Sequence, residues 1–200
     1  NNYDINDVAT LAGWDKDPLK VTQFYNERRA QLNNVFPNEA HKALVELEQK
    51  YNVIVVTQNV DNLHEKAGST HIIHLHGELN KVRCQHNPTL IPWMKDVTEN
   101  DVCSCHNEIY RPHVVWFGER THTYPVYQKL KLSDILIVCG TSFNIGYTVE
   151  LVRQINKNTE IHYIDPDPKR MIFSEFENIH YYETVATDGV KQVVDKLMTI

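Results

Sequence analysis

Two hundred residues suffice for one sizeable core, or for a larger domain carrying a small module, and they argue against two equal domains. The formal net charge of -6 gives no electrostatic reason for nucleic-acid binding. No apolar run approaches the roughly 20 residues that span a bilayer, and no signal peptide is recognisable, so we expect a cytoplasmic protein without a membrane segment, acting on small molecules or proteins.

The chain begins Asn1-Asn2-Tyr3 without methionine, and we expect a missing upstream segment; none of the seven glycines forms a G-x-G phosphate-cradling turn. Asp17 and Pro18 read as the cap and first position of a helix in which Val21, Phe24, Arg28 and Leu32 recur at helical spacing, to about Asn33. A second helix is expected after Pro37, with Ala40, Leu44, Leu47 and Tyr51 on one stripe. It leads into Val53-Ile54-Val55-Val56, a β-branched run that predicts a strand buried on both faces. From about Leu79 to Pro112 periodicity fades and Cys, His, Pro and Trp mix with polar residues, which reads as a small inserted module. Val114-Val115-Trp116-Phe117, Ile135 to Cys139 and Ile161 to Ile164 predict further strands. Tyr147 to Ile155 has helical character, and Val190, Val193, Val194 and Leu197 predict a short amphipathic helix after Gly189. Alternating strands and helices point to an α/β fold, a mostly parallel sheet with helices on both faces.

The chemistry sits at the strand ends. Thr57 to Ala67 carries Gln58, Asn59, Asp61 and His64, and His74-Leu75-His76-Gly77 follows at a short interval. At the carboxyl edge of an open α/β sheet such groups suit a pocket better than a turn. Gly140-Thr141-Ser142 offers N–H groups and hydroxyls to a phosphate or ribose, and Asp165 is placed to accept from a ribose hydroxyl; a plain turn and helix cap is the other reading of Gly140 to Ser142. Cys84, Cys103 and Cys105 cluster in the loop-rich stretch, which suggests metal before disulfide. Cys139 reads as a buried small hydrophobe. Tyr25 and Arg28 lie three apart on the first long helix, and a hydroxyl with a guanidinium suits a carboxylate; a surface ion pair of Arg28 is the alternative.

Four stretches, Thr57 to His64, His74 to Gly77, Val114 to Glu119 and Gly140 to Ser142, stand in the order and at about the spacing found in sirtuins, and the chain resembles that family of NAD-dependent protein-lysine deacylases over nearly all its length. Tyr25 and Arg28 resemble the pair of the subclass that removes succinyl and malonyl groups, a bacterial type of class III. The resemblance implies one catalytic domain, 1–200, with a Rossmann-like part at 37–78 and 113–200, a helical part at 7–36 and a zinc-ribbon-like insertion at 79–112. It implies that Gln58, Asn59, Val60 and Asp61, with Gly140, Thr141, Ser142, Asp165 and Ala186, bind NAD, and that Asn59 and Asp61 also serve catalysis. It implies His76 as general base; His71 and His74 are taken as structural. In the family mechanism the acyl oxygen attacks the ribose C1′ as nicotinamide leaves, and the base then activates a ribose hydroxyl, which attacks the imidate. Val114, Val115, Trp116, Phe117 and Gly118 would pair with the backbone of an acyl-lysine peptide, reading its side chains weakly.

Three departures matter. The family's structural zinc sits on two close cysteine pairs; here Cys84 and Cys103 match the leading members, Asn87 and His106 stand at the partner positions, and Cys105 and His86 lie nearby. Zinc on the three cysteines and one histidine, and a module without metal, both stay open. Asp165 stands where an asparagine is more frequent, and the family's Gly-Ala-Gly-x-Ser loop and its strand are absent, which should leave an exposed sheet edge. Two other functions fit parts of the pattern. An NAD glycohydrolase or ADP-ribosyltransferase has no need of Tyr25 and Arg28, and a non-catalytic NAD- or ADP-ribose-binding module has no need of a base at His76.

Overall fold

Asp4, Thr10 and Asp17 each turn a side-chain oxygen onto an amide of the turn that follows, and so divide the opening of the chain into α1 (Ile5–Val8), α2 (Leu11–Lys16) and α3 (Pro18–Gln31). A 3-10 turn, Leu32–Asn34, closes α3. Asn38 caps α4 (Glu39–Leu47) in a reciprocal box with His41. There follow β1 (Val55–Thr57), α5 (Leu63–Ala67), β2 (Ile72–His74), β3 (Gly77–Arg83), β4 (Ile91–Pro92), β5 (Arg111–Val114), α6 (Tyr124–Lys131) and β6 (Ile135–Cys139). The chain continues through α7 (Gly146–Val152), β7 (Glu160–Ile164), a 3-10 turn at Arg170–Phe173, β8 (Ile179–Tyr182) and α8 (Ala186–Thr199). This computed structural model describes residues 3–144 and 146–199; Asn1 and Asn2, on which the expectation of an upstream segment rests, lie outside them.

Two compact units form. One comprises residues 1–36, 56–63 and 74–122, the other 37–55, 64–73 and 123–200. In the second, β6, β7 and β8 pair in parallel in that order, with Cys139 level with Ile164 and Ile164 with Tyr182. Side-chain alternation then splits the sheet between two cores. On one face Ile164 packs with Ala40 and Leu47 of α4 and Val190, Val193 and Leu197 of α8. On the other, Ile161 and Tyr163 pack with Val152, Ile155 and Phe173. Helical segments therefore cover both faces, as the alternating pattern predicts. Cys139 is half-buried on the edge strand β6. The last helix starts earlier than its apolar stripe suggests, and Gly189 lies inside it. A Cβ there would stand 2.3 Å from Ile164 Cγ2, so the missing side chain lets α8 approach β7.

The first unit is built differently. Its three-stranded sheet is antiparallel, in the order β4-β3-β5, and its core joins Trp14, Val21, Tyr25, Leu32, Leu79 and Trp116. Two strand expectations shift. The run Val53 to Val56 is not buried on both faces: only Val55–Thr57 forms a strand, Val53 and Ile54 are half-buried outside it, and Val56 is 37% exposed. Among the described residues β1 pairs with β2 alone, so it is an edge strand and not the interior parallel strand that the apolar run suggests. The strand expected at Val114 to Phe117 ends at Val114 and begins at Arg111 instead. Pro112 and His113 break the apolar pattern yet both pair with β3, opposite Val82 and Glu78, with a register shift between the two, whereas Trp116 and Phe117 are apolar for other reasons, one buried and one exposed.

The buried face of α3 also differs from the expected stripe. Val21, Thr22, Tyr25 and Arg29 point inward, and Phe24 and Arg28 lie at the margin. Arg29 tolerates burial because its Nε donates to the Leu79 carbonyl at 2.8 Å and its Nη1 to Asn26 Oδ1 at 2.7 Å.

Candidate active site

Within the first unit, residues 57–63 and the His74-Leu75-His76-Gly77 stretch are bound together by backbone. Leu75 donates to the Thr57 carbonyl at 2.9 Å and Leu79 to the Val60 carbonyl at 2.8 Å. Buried Leu75 anchors the stretch, and the histidines on either side turn to the neighbouring segment: His74 Nδ1 lies 3.2 Å from the Asn59 carbonyl and His76 Nδ1 2.9 Å from that of Gln58. Gly77 has φ +79, and a Cβ there would meet the His113 carbonyl at 2.1 Å, so only glycine lets β3 and β5 close behind His76.

A carbonyl only accepts, so His76 carries its proton on Nδ1 and Nε2 is the basic nitrogen. Burial lowers its pKa below the ordinary 6.5, the Gln58 carbonyl opposes this, and the charge of His122 adds to the lowering. The ring is therefore neutral at pH 7 and competent to take a proton. Around it, Asn59 is anchored through its amide to Thr57 Oγ1 at 3.1 Å, and Asp61 Oδ1 accepts from the Leu63 amide at 3.0 Å, closing the turn that leads into α5. Asn59 presents an exposed side chain and Gln58 a half-buried one. Asn62 Oδ1 is buried without a hydrogen-bond partner among the described residues, an acceptor the sequence reading passed over.

In the second unit, the parallel register brings Gly140 and Asp165 to one edge, each one residue past its strand, and starts α8 at Ala186 a few residues beyond β8. Gly140 has φ +61 with nothing within 4 Å of a Cβ position. Asp165 Oδ1 accepts from the Asp167 amide at 2.8 Å, so the carboxylate closes its own turn as well as facing this edge.

The acyl-recognition candidates also have defined places. Tyr25 is buried, and its hydroxyl lies 3.0 Å from Trp116 Nε1. Arg28 is half-buried, with its guanidinium 3.3 Å over the Phe24 ring and Nη1 donating to the Phe24 carbonyl at 3.1 Å; the alternative of a surface ion pair finds no carboxylate among the described residues. Burial pushes the Tyr25 hydroxyl up to about 12, while the indole hydrogen bond and the nearby Arg28 charge oppose the rise. Behind them stands a buried network that hydrophobic patterning did not reveal. Arg111 is fully buried and makes two hydrogen bonds of 2.9 Å to Glu119, whose Oε2 also accepts from the Trp116 amide.

Cys84, Cys103, Cys105 and His106 gather so that one ligand atom from each lies within 4.8 Å of the others. The Cys84 and Cys105 sulfurs are 3.5 Å apart, near the roughly 3.8 Å separating tetrahedral ligands about 2.3 Å from zinc. Hydrogen bonding from the Glu108 amide, then from neighbouring thiols, pulls the Cys103 thiol to about 6, while Cys105 is pushed up to about 11 by its bonds to the same thiols. One thiolate, two neighbouring thiols and an imidazole are a set that a divalent cation such as zinc satisfies. The histidine left open by the sequence is His106; His86 instead faces Glu108 at 3.0 Å.

The Sir2 family profile matches residues 1–146. The chain belongs to the Sir2 family. A Helicobacter pylori protein (strain ATCC 700392 / 26695) named NAD-dependent protein deacylase is 41% identical over 201 residues, spanning 98% of this chain and 85% of its own. An Escherichia coli O157:H7 protein of the same name is 47% identical over 205 residues, spanning 97% of this chain and 73% of its own. A solved Sir2 homologue in complex with NAD superposes with a TM-score of 0.85 at 29% identity, over 100% of this chain and 79% of that one. The Sir2 fold accounts for the parallel sheet, its helices and the added helical and cysteine-bearing segments.

Proposed function

We propose that this Sir2 protein is an NAD-dependent protein-lysine deacylase that transfers the acyl group to ADP-ribose and leaves nicotinamide and free lysine. The observation that carries this reading is His76: its Nδ1 is committed to the Gln58 carbonyl, which makes Nε2 a neutral base beside the segment Gln58 to Asp61. The relatives' shared name supports it. Two features fit NAD: the buried, unpartnered Asn62 oxygen, and the open Gly140 turn at the strand ends of the parallel sheet. NAD when bound supplies a glycosidic bond whose cleavage exposes the ribose C1′. In this reading Gln58, Asn59, Val60 and Asp61 hold the nicotinamide riboside end. Gly140, Thr141, Ser142, Asp165 and Ala186 hold the phosphates and the other ribose, and Asn59, Asp61 and His76 serve the chemistry, with His76 taking a proton from a ribose hydroxyl.

For the peptide we assign Val114 to Gly118. The amides of Val115, Trp116 and Phe117 already donate to His76, Glu119 and Ala9, and the carbonyls of Val114 and Trp116 accept from Arg111 and Glu119, so pairing rests on the Gly118 amide and the remaining carbonyls. Acidic acyl groups are the finer reading: Arg28 has no carboxylate partner among the described residues, and its charge acts on the Tyr25 hydroxyl from the same helix, α3. Structural zinc on Cys84, Cys103, Cys105 and His106 is assigned with it. The chain is read as one catalytic domain acting in the cytoplasm, which four unpaired cysteines support; among the described residues no helix is long and apolar enough to cross a membrane.

The test is mass spectrometry of acetyl- and succinyl-lysine peptides incubated with NAD and protein, with His76→Ala and Arg28→Met as variants. Expected are O-acyl-ADP-ribose from wild type, at least a hundredfold less from His76→Ala, and a selective loss of desuccinylation in Arg28→Met. Nicotinamide release without peptide would establish a glycohydrolase instead. Since the His76 pKa lies below 6.5, its proton is lost before neutrality: activity should be level near pH 7 and fall as pH drops through that lowered value.

A further inference from the structure

We infer that Trp116 is a positioning residue that fixes the Tyr25 hydroxyl as a hydrogen-bond donor to the acyl group of the substrate. This role rests on the acyl reading of Tyr25 and Arg28. An indole N–H only donates, so at 3.0 Å Trp116 Nε1 must give its proton to the phenolic oxygen. That occupies the oxygen as acceptor and turns the hydroxyl's own proton elsewhere. No described residue accepts that proton, although Tyr25 is only 5% exposed. A buried donor without an acceptor costs free energy, and the carboxylate of a bound acidic acyl group would satisfy it.

The indole can impose this direction because it cannot turn. It is 2% exposed, lies 3.6 Å from the Arg111 guanidinium across its face, and packs 5.6 Å from Trp14. Its amide is held by Glu119, which holds Arg111 in turn, and Arg111 Nη2 donates to the Val114 carbonyl at 3.1 Å. Packing alone would be served by any large aromatic ring. Only the N–H reaches the phenol, and it separates an orienting role from a filling one.

The experiment measures kcat/KM for succinyl- and acetyl-lysine peptides in wild type, Trp116→Phe, Tyr25→Phe, the double variant and Arg28→Met, with tryptophan-fluorescence melting as a folding check. The succinyl-to-acetyl ratio should fall about tenfold in Trp116→Phe, mainly through KM for the succinyl peptide, and the double variant should match Tyr25→Phe. An unchanged ratio in folded Trp116→Phe, or additive effects in the double variant, would overturn the role. If Trp116→Phe does not fold, benzothienyl-alanine at position 116 preserves the shape without the N–H and gives the same decision. If wild type and Arg28→Met cleave the succinyl peptide equally, the acyl reading falls and takes this role with it. A wild type dependent on Arg28 and indifferent to the indole N–H would remove this role alone.

Discussion

The two units reach order by opposite means. In residues 37–55, 64–73 and 123–200, aliphatic strands lie between apolar helix faces, and the charged side chains sit mostly outside. In residues 1–36, 56–63 and 74–122 the interior holds two fully buried or nearly buried arginines, an indole-to-phenol hydrogen bond and three clustered thiols. An apolar core tolerates a lost methylene at a cost that depends on how well it collapses. A polar interior has no such latitude, because removing one partner strands the other. The residues proposed as base and as acyl-recognition pair, His76, Tyr25 and Arg28, all belong to the second kind of unit.

Chelation should break this contrast most visibly. All three tryptophans, Trp14, Trp93 and Trp116, lie in the polar unit, so their fluorescence reports that unit alone. Zinc on four protein ligands contributes on the order of 10 kcal/mol in small zinc peptides. Removing it, or Cys103→Ser, should bring the fluorescence transition down while hydrogen exchange in β6 to β8 stays protected; equal loss in both units would refute the contrast. Next in size is Glu119→Gln, which leaves buried Arg111 without its carboxylate. It should cost about 3–5 kcal/mol in denaturant titrations followed by fluorescence, and pairing it with Arg111→Met should restore much of that.

The apolar unit has one polar exception that sharpens the comparison. His162 on β7 is fully buried, with Nδ1 3.1 Å from the Tyr182 hydroxyl, and Nε2 3.2 Å from Glu160, which His180 and Lys196 also approach. Burial lowers its pKa to about 4, against the attraction of Glu160. The unfolded chain takes up this proton first, so stability is complete above about 6.5 and declines as pH falls towards about 4, by roughly 3 kcal/mol. Hydrogen exchange of β7 between pH 7 and 4 should show that decline, and His162→Gln should flatten it. The smallest effect belongs to the surface: Lys191 and Asp195, 3.2 Å apart and more than half exposed, should change stability by less than about 0.5 kcal/mol on Lys191→Ala.

Much of the apolar unit was legible in the sequence, because its strands and helices owe their places to hydrophobic period. Ile135 to Cys139, Ile161 to Ile164 and the stripes of α4 and α8 appear where that period puts them. The misplaced edges have local causes: Gly189 reads as a stop until Ile164 explains it, and Pro112 and His113 conceal the start of β5. In the polar unit the site was legible as a motif but its support was not. Arg29, Arg111 and Glu119 read as ordinary charges, since nothing in a list of residues shows which carbonyl or carboxylate each will meet.

The sequence by itself determined the α/β class and the family resemblance, because these depend on residue types at short, fixed spacings. Only the tertiary structure decided the tautomer of His76, the histidine beside the three thiols, and the partner of the Tyr25 hydroxyl. Gln58 and His76 stand 18 residues apart, Cys84 and Cys105 21, and Tyr25 and Trp116 91. Hydrogen-bond direction and ligand sets depend on separations of a few ångström that the fold creates across such distances.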